Sequence, residues 1–159
     1  MLNEILISNE KSNFYKLFRE VNNNPKPIRI NLNNVRIPFG IEEYKNKYIL
    51  NFEMNDSENC IEYMDTIKKL EKNIGKLIEE DDIIIKSVLR EREDLPILSR
   101  AYVKKNKHKF ITVYKEEDKE LSLFNLEKNC FCEVVLEISG IWKYKNTTGL
   151  YMNVISIKK

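Results

Sequence analysis

The chain has 159 residues, of which 42% are hydrophobic and 33% are charged. This length suits one domain with a substantial core, and this composition excludes a disordered or fibrous protein. Lys and Arg number 27 against 25 Asp and Glu, a net charge of +2, so a nucleic-acid-binding surface would require local clustering of positive charge.

The cysteine and histidine content limits the chemistry of the chain. Three cysteines, an odd number, argue against a disulfide framework, and the four-ligand spacing of a zinc site is absent. We therefore expect reduced core cysteines, no metal and no cofactor. The chain shows no signal-peptide pattern and no apolar run of membrane-spanning length, so we expect an intracellular, reducing location and no membrane partner.

Residues 1–24 are predicted to form an N-terminal helical segment. Phe14, Leu17, Phe18 and Val21 are spaced at i, i+3, i+4 and i+7, which is typical of one apolar helical stripe. This helix would either pack on the domain or serve as an arm that docks on a neighbouring subunit.

The next region alternates in polarity before a long helix. Residues 28–32 and 35–39 read as two short strands or as halves of one bent strand, and residues 48–54 read as another strand. Residues 56–80 keep a helical period, with Asp56 or Ser57 as the N-cap. The lysines on the opposite side of this helix are interpreted as a solvated face.

Residues 83–98 are ambiguous: residues 83–85 fit either a strand or a helical turn, residues 90–94 predict a mixed-charge loop, and residues 95–96 predict extended backbone. Strands return after this stretch. Residues 98–103 and 110–114 alternate as strands, and the loop between them is the densest basic run of the chain. Two interpretations of this basic run remain open from the sequence: a phosphate-binding segment or an ordinary solvated turn.

The last 30 residues predict two long strands joined by a tight turn at residues 146–149. Gly140 interrupts the alternation and indicates a β-bulge. With the bulge, Trp142 and Tyr144 would share a face with Glu137 and Ser139. Without it, they would share a face with the apolar residues and belong to the core.

Residues that would support catalysis are sparse. The sequence has no glycine-rich phosphate loop, and no catalytic pair can be built convincingly around His108, the only histidine. We therefore expect no catalytic residues and no enzyme. A nuclease whose carboxylates converge in a cleft is a third hypothesis.

The order of elements favours a mainly β fold with helices. We predict an OB-fold-like domain over residues 25–159, a five-stranded Greek-key β-barrel with one long inserted helix.

Two stretches resemble a known family. One runs over residues 35–41 and 47–52; the other is Gly-Ile-Trp at 140–142 followed by Gly-Leu-Tyr at 149–151. They are similar to the OB-fold single-stranded DNA-binding proteins of large eukaryotic DNA viruses, which in turn look like those of tailed phages. The phage proteins end in an acidic tail that contacts replication partners, whereas this chain ends in Ile157, Lys158 and Lys159, so we do not expect recruitment by a tail.

The resemblance implies single-stranded DNA binding in viral DNA replication, recombination or repair, in the host cytoplasm. Partners would be single-stranded DNA, RNA as a possible second ligand, a possible homo-oligomer and possible replication proteins. The aromatic residues expected to stack on bases are Trp142, Tyr144 and Tyr151. The cations expected to contact phosphates are Arg100, Lys104, Lys105, Lys107, Lys143 and Lys145.

A second hypothesis is an OB-like protein-interaction module that binds no nucleic acid. The nearly neutral net charge suits this alternative. A continuous positive stripe on the surface would favour DNA, and a mixed-sign face with exposed apolar residues would favour a protein partner.

Overall fold

The computed structural model describes residues 5–11 and 13–159, and most of them lie in β-strands. The strands are β1 (Ile5–Lys11), β2 (Phe14–Val21), β3 (Asn24–Lys26), β4 (Ile28–Ile37), β5 (Ile41–Tyr44), β6 (Lys47–Glu53), β7 (Ile84–Ile85), β8 (Leu89–Arg92), β9 (Leu95–Val103), β10 (Lys105–Asn106), β11 (Lys109–Phe110), β12 (Val113–Glu116), β13 (Lys119–Leu121), β14 (Cys130–Tyr144) and β15 (Thr147–Lys158). The helices are α1 (Glu58–Lys72) and α2 (Ile74–Leu77), and a 3-10 turn spans Leu123–Asn125. The predicted mainly β class is confirmed.

Strands β14 and β15 form a long antiparallel hairpin with a bulge at the predicted place. Ile138 lies opposite Met152, but Gly140 lies opposite Tyr151, so Ser139 is the extra residue on β14. The bulge reverses the facing of the residues beyond Gly140, because side chains alternate along a strand. Ile141 is therefore fully buried, whereas Trp142 is half-buried on the opposite face.

Five strands pair in a circuit around the core. β14 pairs with β4, β4 with β6, β6 with β9, and β9 with β15, which returns to β14. The β9–β15 pairing is parallel, with Asn153 opposite Tyr102 and Val154 opposite Val103. Residues 28–37 form a single strand, and α1 precedes β9, so the long helix lies between the second and third strands of the circuit.

A partly buried ion-pair cluster holds the narrowest junction of this circuit. β4 and β6 meet through one paired position, Arg36 opposite Glu53. The Glu53 carboxylate accepts hydrogen bonds from Arg36 Nη1 at 2.5 Å and from Arg92 Nη2 at 2.9 Å. Glu53 is only 7% exposed, so removing either arginine would leave a buried charge with fewer partners.

Helix α1 packs its apolar face against the sheet. Ser57 is the N-cap, because its hydroxyl accepts a hydrogen bond from the backbone N–H of Cys60. Tyr63 is fully buried on this face and its hydroxyl is 2.8 Å from Ser99 Oγ on β9. The helix ends at Lys72, short of the predicted residue 80. Asn73 leaves the helical conformation and its side chain donates to the carbonyl of Lys69, a local bond that competes with helix continuation.

The predicted N-terminal helix is wrong, because residues 14–21 form strand β2. β2 pairs with β1 on one side and with β14 on the other, where Phe14 lies opposite Trp142 and Lys16 opposite Gly140. Leu17 is buried in the common core. The aromatic and β-branched residues of this segment suit a sheet surface, and pairing on both sides outweighs their helical spacing.

The ambiguous stretch at residues 83–98 contains strands β7 and β8. Between them, Glu71 of α1 fixes the backbone. Its carboxylate accepts hydrogen bonds from Ser87 Oγ at 2.7 Å and from the backbone N–H of Val88 at 2.9 Å. Burial raises the pKa of the Glu71 carboxyl, although these two hydrogen bonds act to lower it.

The three cysteines are free and buried, as predicted. Cys130 and Cys132 lie on the same face of β14 with their sulfurs 3.6 Å apart. Burial, with smaller contributions from Cys130, raises the pKa of the Cys132 thiol to about 12. The Cys132 thiol therefore remains protonated, and the buried cysteines pack as small apolar core residues.

Replacing Gly140 with Ala should destabilise the protein. A Cβ at this position would clash with the carbonyl oxygen of Tyr15 and the ring of Phe14, so β2 would be forced away from β14. We expect the free energy of unfolding to fall by about 1–3 kcal/mol in urea titrations. Glu133→Ala, an exposed change on the same strand, is the control and should stay within about 0.5 kcal/mol. Equal stabilities for the two variants would contradict the close packing of β2.

The raised pKa of Glu71 predicts a pH-dependent stability. The folded state binds this proton more tightly than the unfolded chain, so the contribution of Glu71 is fully present below its unfolded pKa. It is lost as the pH rises through the folded pKa. Glu71→Gln should therefore gain stability relative to wild type as urea unfolding is repeated from about pH 4 to about pH 7. Glu62→Gln, exposed on the same helix, should show no such gain. A gain that shrinks with rising pH would contradict the assignment.

Candidate functional site

The outward face of β9, β15 and β2 carries a row of three aromatic rings. Tyr102 and Tyr151 stack with ring centroids 5.0 Å apart and an interplanar angle of 20°. Phe14 meets Tyr151 edge-on at 5.8 Å. The parallel register explains the stack: Asn153 lies opposite Tyr102, and Tyr151 is two residues away on the same face. We call Phe14, Tyr151 and Tyr102 the aromatic row.

Trp142 lies on the same face because of the bulge. It is paired with Gly149, which has the same facing as Tyr151, and its indole passes over this glycine. A Cβ at Gly149 would lie 2.9 Å from Trp142 Nε1, so a side chain there would push the indole away. Trp142 and Tyr102 both line a small depression together with Arg100, Lys86 and Ser87. We call this depression the tryptophan slot.

Cations lie directly over several of these rings. Lys47 Nζ lies 5.0 Å from the centroid of Tyr102 and 5.4 Å from that of Tyr151. The Arg100 guanidinium lies 4.9 Å from the centroid of the Tyr44 ring. Such contacts stabilise exposed cations by about 0.5–1 kcal/mol each and hold them near the aromatic faces.

The Tyr44 hydroxyl lies beside positively charged side chains that lower its pKa. A hydrogen bond from Lys45 and the charge of Lys45 lower the pKa of the Tyr44 hydroxyl, and Arg100 contributes to the same shift. The ring itself is 39% exposed. Tyr44 therefore offers an aromatic surface beside two cations.

Three depressions adjoin one another through shared lining residues, and we call them together the groove. The central one, about 320 Å³, shares Tyr102 with the tryptophan slot and shares Tyr151 and Lys104 with a third depression beside Phe14. The basic residues that line the groove are Lys16, Lys47, Lys86, Arg100, Lys104 and Lys105. Among the described residues its one lining carboxylate, Glu137, pairs with Arg29 at 3.5 Å. The lining therefore combines flat aromatic faces with an excess of positive charge.

Five of the nine residues predicted for the site line this groove. They are Trp142, Tyr151, Arg100, Lys104 and Lys105.

The other four predicted residues lie elsewhere. Tyr144 and Lys145 lie at the end of the β14–β15 hairpin, where Tyr144 is 68% exposed and Lys145 Nζ is 5.4 Å from its ring centroid. Lys107 is exposed in the turn between β10 and β11. Lys143 has the facing opposite to that of Trp142, and its ammonium pairs with the Glu80 carboxylate.

Sequence reasoning missed several contributors to the groove. Tyr102 follows Arg100 by two residues in a strand, so alternation already placed both on one face. Phe14 was assigned to a helix, which hid its position opposite Trp142. Lys47 of β6 and Lys86, which directly follows β7, reach the groove through the pairing of β6 with β9 and of β7 with β15.

Two further observations concern the described parts of the chain, residues 5–11 and 13–159. In these ranges no three His, Cys, Asp or Glu side chains come together in a group that would hold a metal ion. Neither helix in these ranges has the length and apolarity needed to cross a membrane.

Comparison with known proteins gives a structural likeness at low sequence identity. No family model matches the chain, and no curated protein matches it. Among solved structures, it is similar to a C-terminally truncated single-stranded DNA-binding protein from bacteriophage Enc34, with 13% identity and a TM-score of 0.58. The match covers 99% of this chain and 94% of the phage chain, so the two share one fold over nearly their full length.

Proposed function

We propose that this protein binds single-stranded DNA without strong sequence preference in the groove that contains the aromatic row. The observation that carries this proposal is the continuity of Trp142, Tyr102, Tyr151 and Phe14 with flanking cations on one face. Unpaired bases stack on such rings with about 1–3 kcal/mol per base, and lysines along the groove neutralise phosphates. The shared fold with a phage single-stranded DNA-binding protein supports the same ligand.

The strand order supports an OB-fold interpretation. The pairing order β4, β6, β9, β15 and back to β14 supports a five-stranded Greek-key barrel, with β1–β3 and α1 as additions. In OB folds, oligonucleotides bind the face of the second and third strands and the loops that join strands one to two and four to five. Here those positions are the β6–β9 face, the segment with Tyr44 and Lys45, and the hairpin end with Tyr144 and Lys145.

The charge of the groove favours DNA over a protein partner. Among the described residues, six basic side chains line it against one carboxylate that is already paired, which is the lining expected for a polyanion. The alternative, an OB-like protein-interaction module, would be favoured by a mixed-sign face.

The wider role rests on the resemblance and on the shared fold. We propose action in viral DNA replication, recombination or repair, in the reducing host cytoplasm. Stacking and phosphate contacts do not read the 2′-hydroxyl, so RNA is a second expected ligand. A homo-oligomer and contacts with replication proteins belong to the same proposal.

Trp142 should report binding directly, since it is the only tryptophan in the chain. Oligothymidine added at low salt should quench its fluorescence through stacking in the tryptophan slot, and added salt should reverse the quenching. Trp142→Phe should retain most of the affinity measured by anisotropy, and Trp142→Ala should weaken it by about fivefold or more. Binding in anisotropy with unchanged fluorescence would remove Trp142 from the interface.

Lys47 should contribute one phosphate contact. Lys47→Gln should weaken oligothymidine binding and reduce the slope of log affinity against log salt by about 0.7. Lys68→Gln is the matched control, because Lys68 is an exposed lysine on α1 that does not line the groove. Identical slopes for the two variants would argue against phosphate contact at Lys47.

A further inference from the structure

A second aromatic cluster adjoins the groove, and one of its three rings, Tyr48, lines the central depression. Tyr48, Phe110 and Phe124 pack edge to face, with ring centroids 5.5 Å apart for both pairs that include Tyr48 and 5.8 Å for the third pair. Phe124 is 58% exposed, while the other two rings are half-buried beneath it. We call these three residues the outer cluster.

The outer cluster is continuous with the groove through Lys105 and Tyr48. Both residues line the central depression together with Tyr102 and Tyr151. Lys105 Nζ also lies 5.3 Å from the Phe110 centroid and 5.9 Å from the Tyr48 centroid. A chain that continues from the stacked tyrosines along this depression therefore meets Lys105 and then the rings of the outer cluster.

The β10–β11 hairpin and the 3-10 turn, which carry Phe110 and Phe124 of the outer cluster, are held in place by hydrogen bonds and buried side chains. Thr112 is buried, accepts a hydrogen bond from the Lys104 N–H at 2.7 Å, and donates one to the Val154 carbonyl at 2.5 Å. This fixes the base of the β10–β11 hairpin on β15. Phe124 lies in the 3-10 turn, which is held by the buried neighbour Leu123 and by the Ser122 hydroxyl that accepts from the Phe124 N–H. An anchored, exposed ring is well suited to accept a stacked base, because the side chain and its loop lose little conformational entropy on binding.

The hairpin that carries Phe110 is basic. Residues 104–114 contain four lysines and no Asp or Glu. One exposed phenylalanine alone is ordinary on a protein surface. Three rings next to a purely basic hairpin, joined to a groove of the same character, fit a stacked and negatively charged chain.

We propose that single-stranded DNA continues from the groove past Lys105 onto the outer cluster, where Phe124 stacks on a base at one end of the bound segment. This inference rests on the proposed function. It adds a second stacking site that engages only when the bound strand is long enough to reach it.

The test compares oligothymidines of about 6 and about 16 nucleotides, the range covered by single OB domains. Phe124→Ala should weaken binding of the long oligonucleotide by at least about fivefold and leave the short one within about twofold. Phe124→Leu keeps an apolar side chain but lacks a ring face, so it should behave like Ala, whereas Phe124→Tyr should behave like wild type. Phe131→Ala is the matched control, since Phe131 is 55% exposed on β14 and does not line the groove.

The outcomes separate this proposal from the proposed function. Wild-type affinity of Phe124→Ala for the long oligonucleotide, or equal losses on both lengths, would overturn the extended path. Retention of affinity by Phe124→Leu would also overturn it, because apolar packing or a protein-docking role would then suffice. If any of these results is obtained while the short oligonucleotide still binds wild type and quenches Trp142 fluorescence, groove binding stands without the extension. If wild type binds neither length, both proposals fail together.

Discussion

One extra residue in β14 governs the layout of the binding face. Up to Ile138 the even-numbered residues of this strand face the core, and after Gly140 the odd-numbered Ile141 does so. The strand can therefore keep its apolar side chains inside while turning its tryptophan outward. The bulge is compatible with close packing because Gly140 has no Cβ to collide with Tyr15 across the β2 junction. The same glycine thus permits the approach of β2, which brings Phe14 to the edge of Tyr151.

The aromatic row depends on strand pairings that are distant in sequence. Tyr102 and Tyr151 stack only because β9 and β15 run parallel, and such a pair requires a long connection. The circuit that holds these strands together is closed elsewhere, at the single β4–β6 junction, where Glu53 binds two arginines. Substitutions that break this ion-pair cluster should weaken the pairing of β6. Because β6 carries Lys47, they should also disturb the groove.

Local patterns predicted the end of the chain well and the beginning poorly. The glycine at 140 and the alternation around it indicated a bulge, but the facing of Trp142 stayed open in the sequence and is decided by the strand register. The apolar residues of the N-terminal segment have helical spacing, and only the pairing of β2 with β14 in space makes this segment a strand. Likewise, nothing next to Lys143 in sequence indicates Glu80, which pairs with it in space. The alternation of side chains along a strand can be predicted from the sequence. Contacts between residues that are distant along the chain cannot, because they depend on how the sheet closes.

The nearly neutral net charge conceals a strong separation of charge. Runs of carboxylates occupy the turns at 79–82 and 116–118, whereas the lysines and Arg100 of the groove lie among aromatic rings. For a polyanion, the local field of the groove matters more than the sum, since salt screens charges beyond about 10 Å. Acidic segments away from the groove would also lower non-specific attraction to other anionic surfaces. A net charge of +2 is therefore compatible with a positively charged groove, and it leaves stacking by Trp142 and the aromatic row as a large part of the expected affinity.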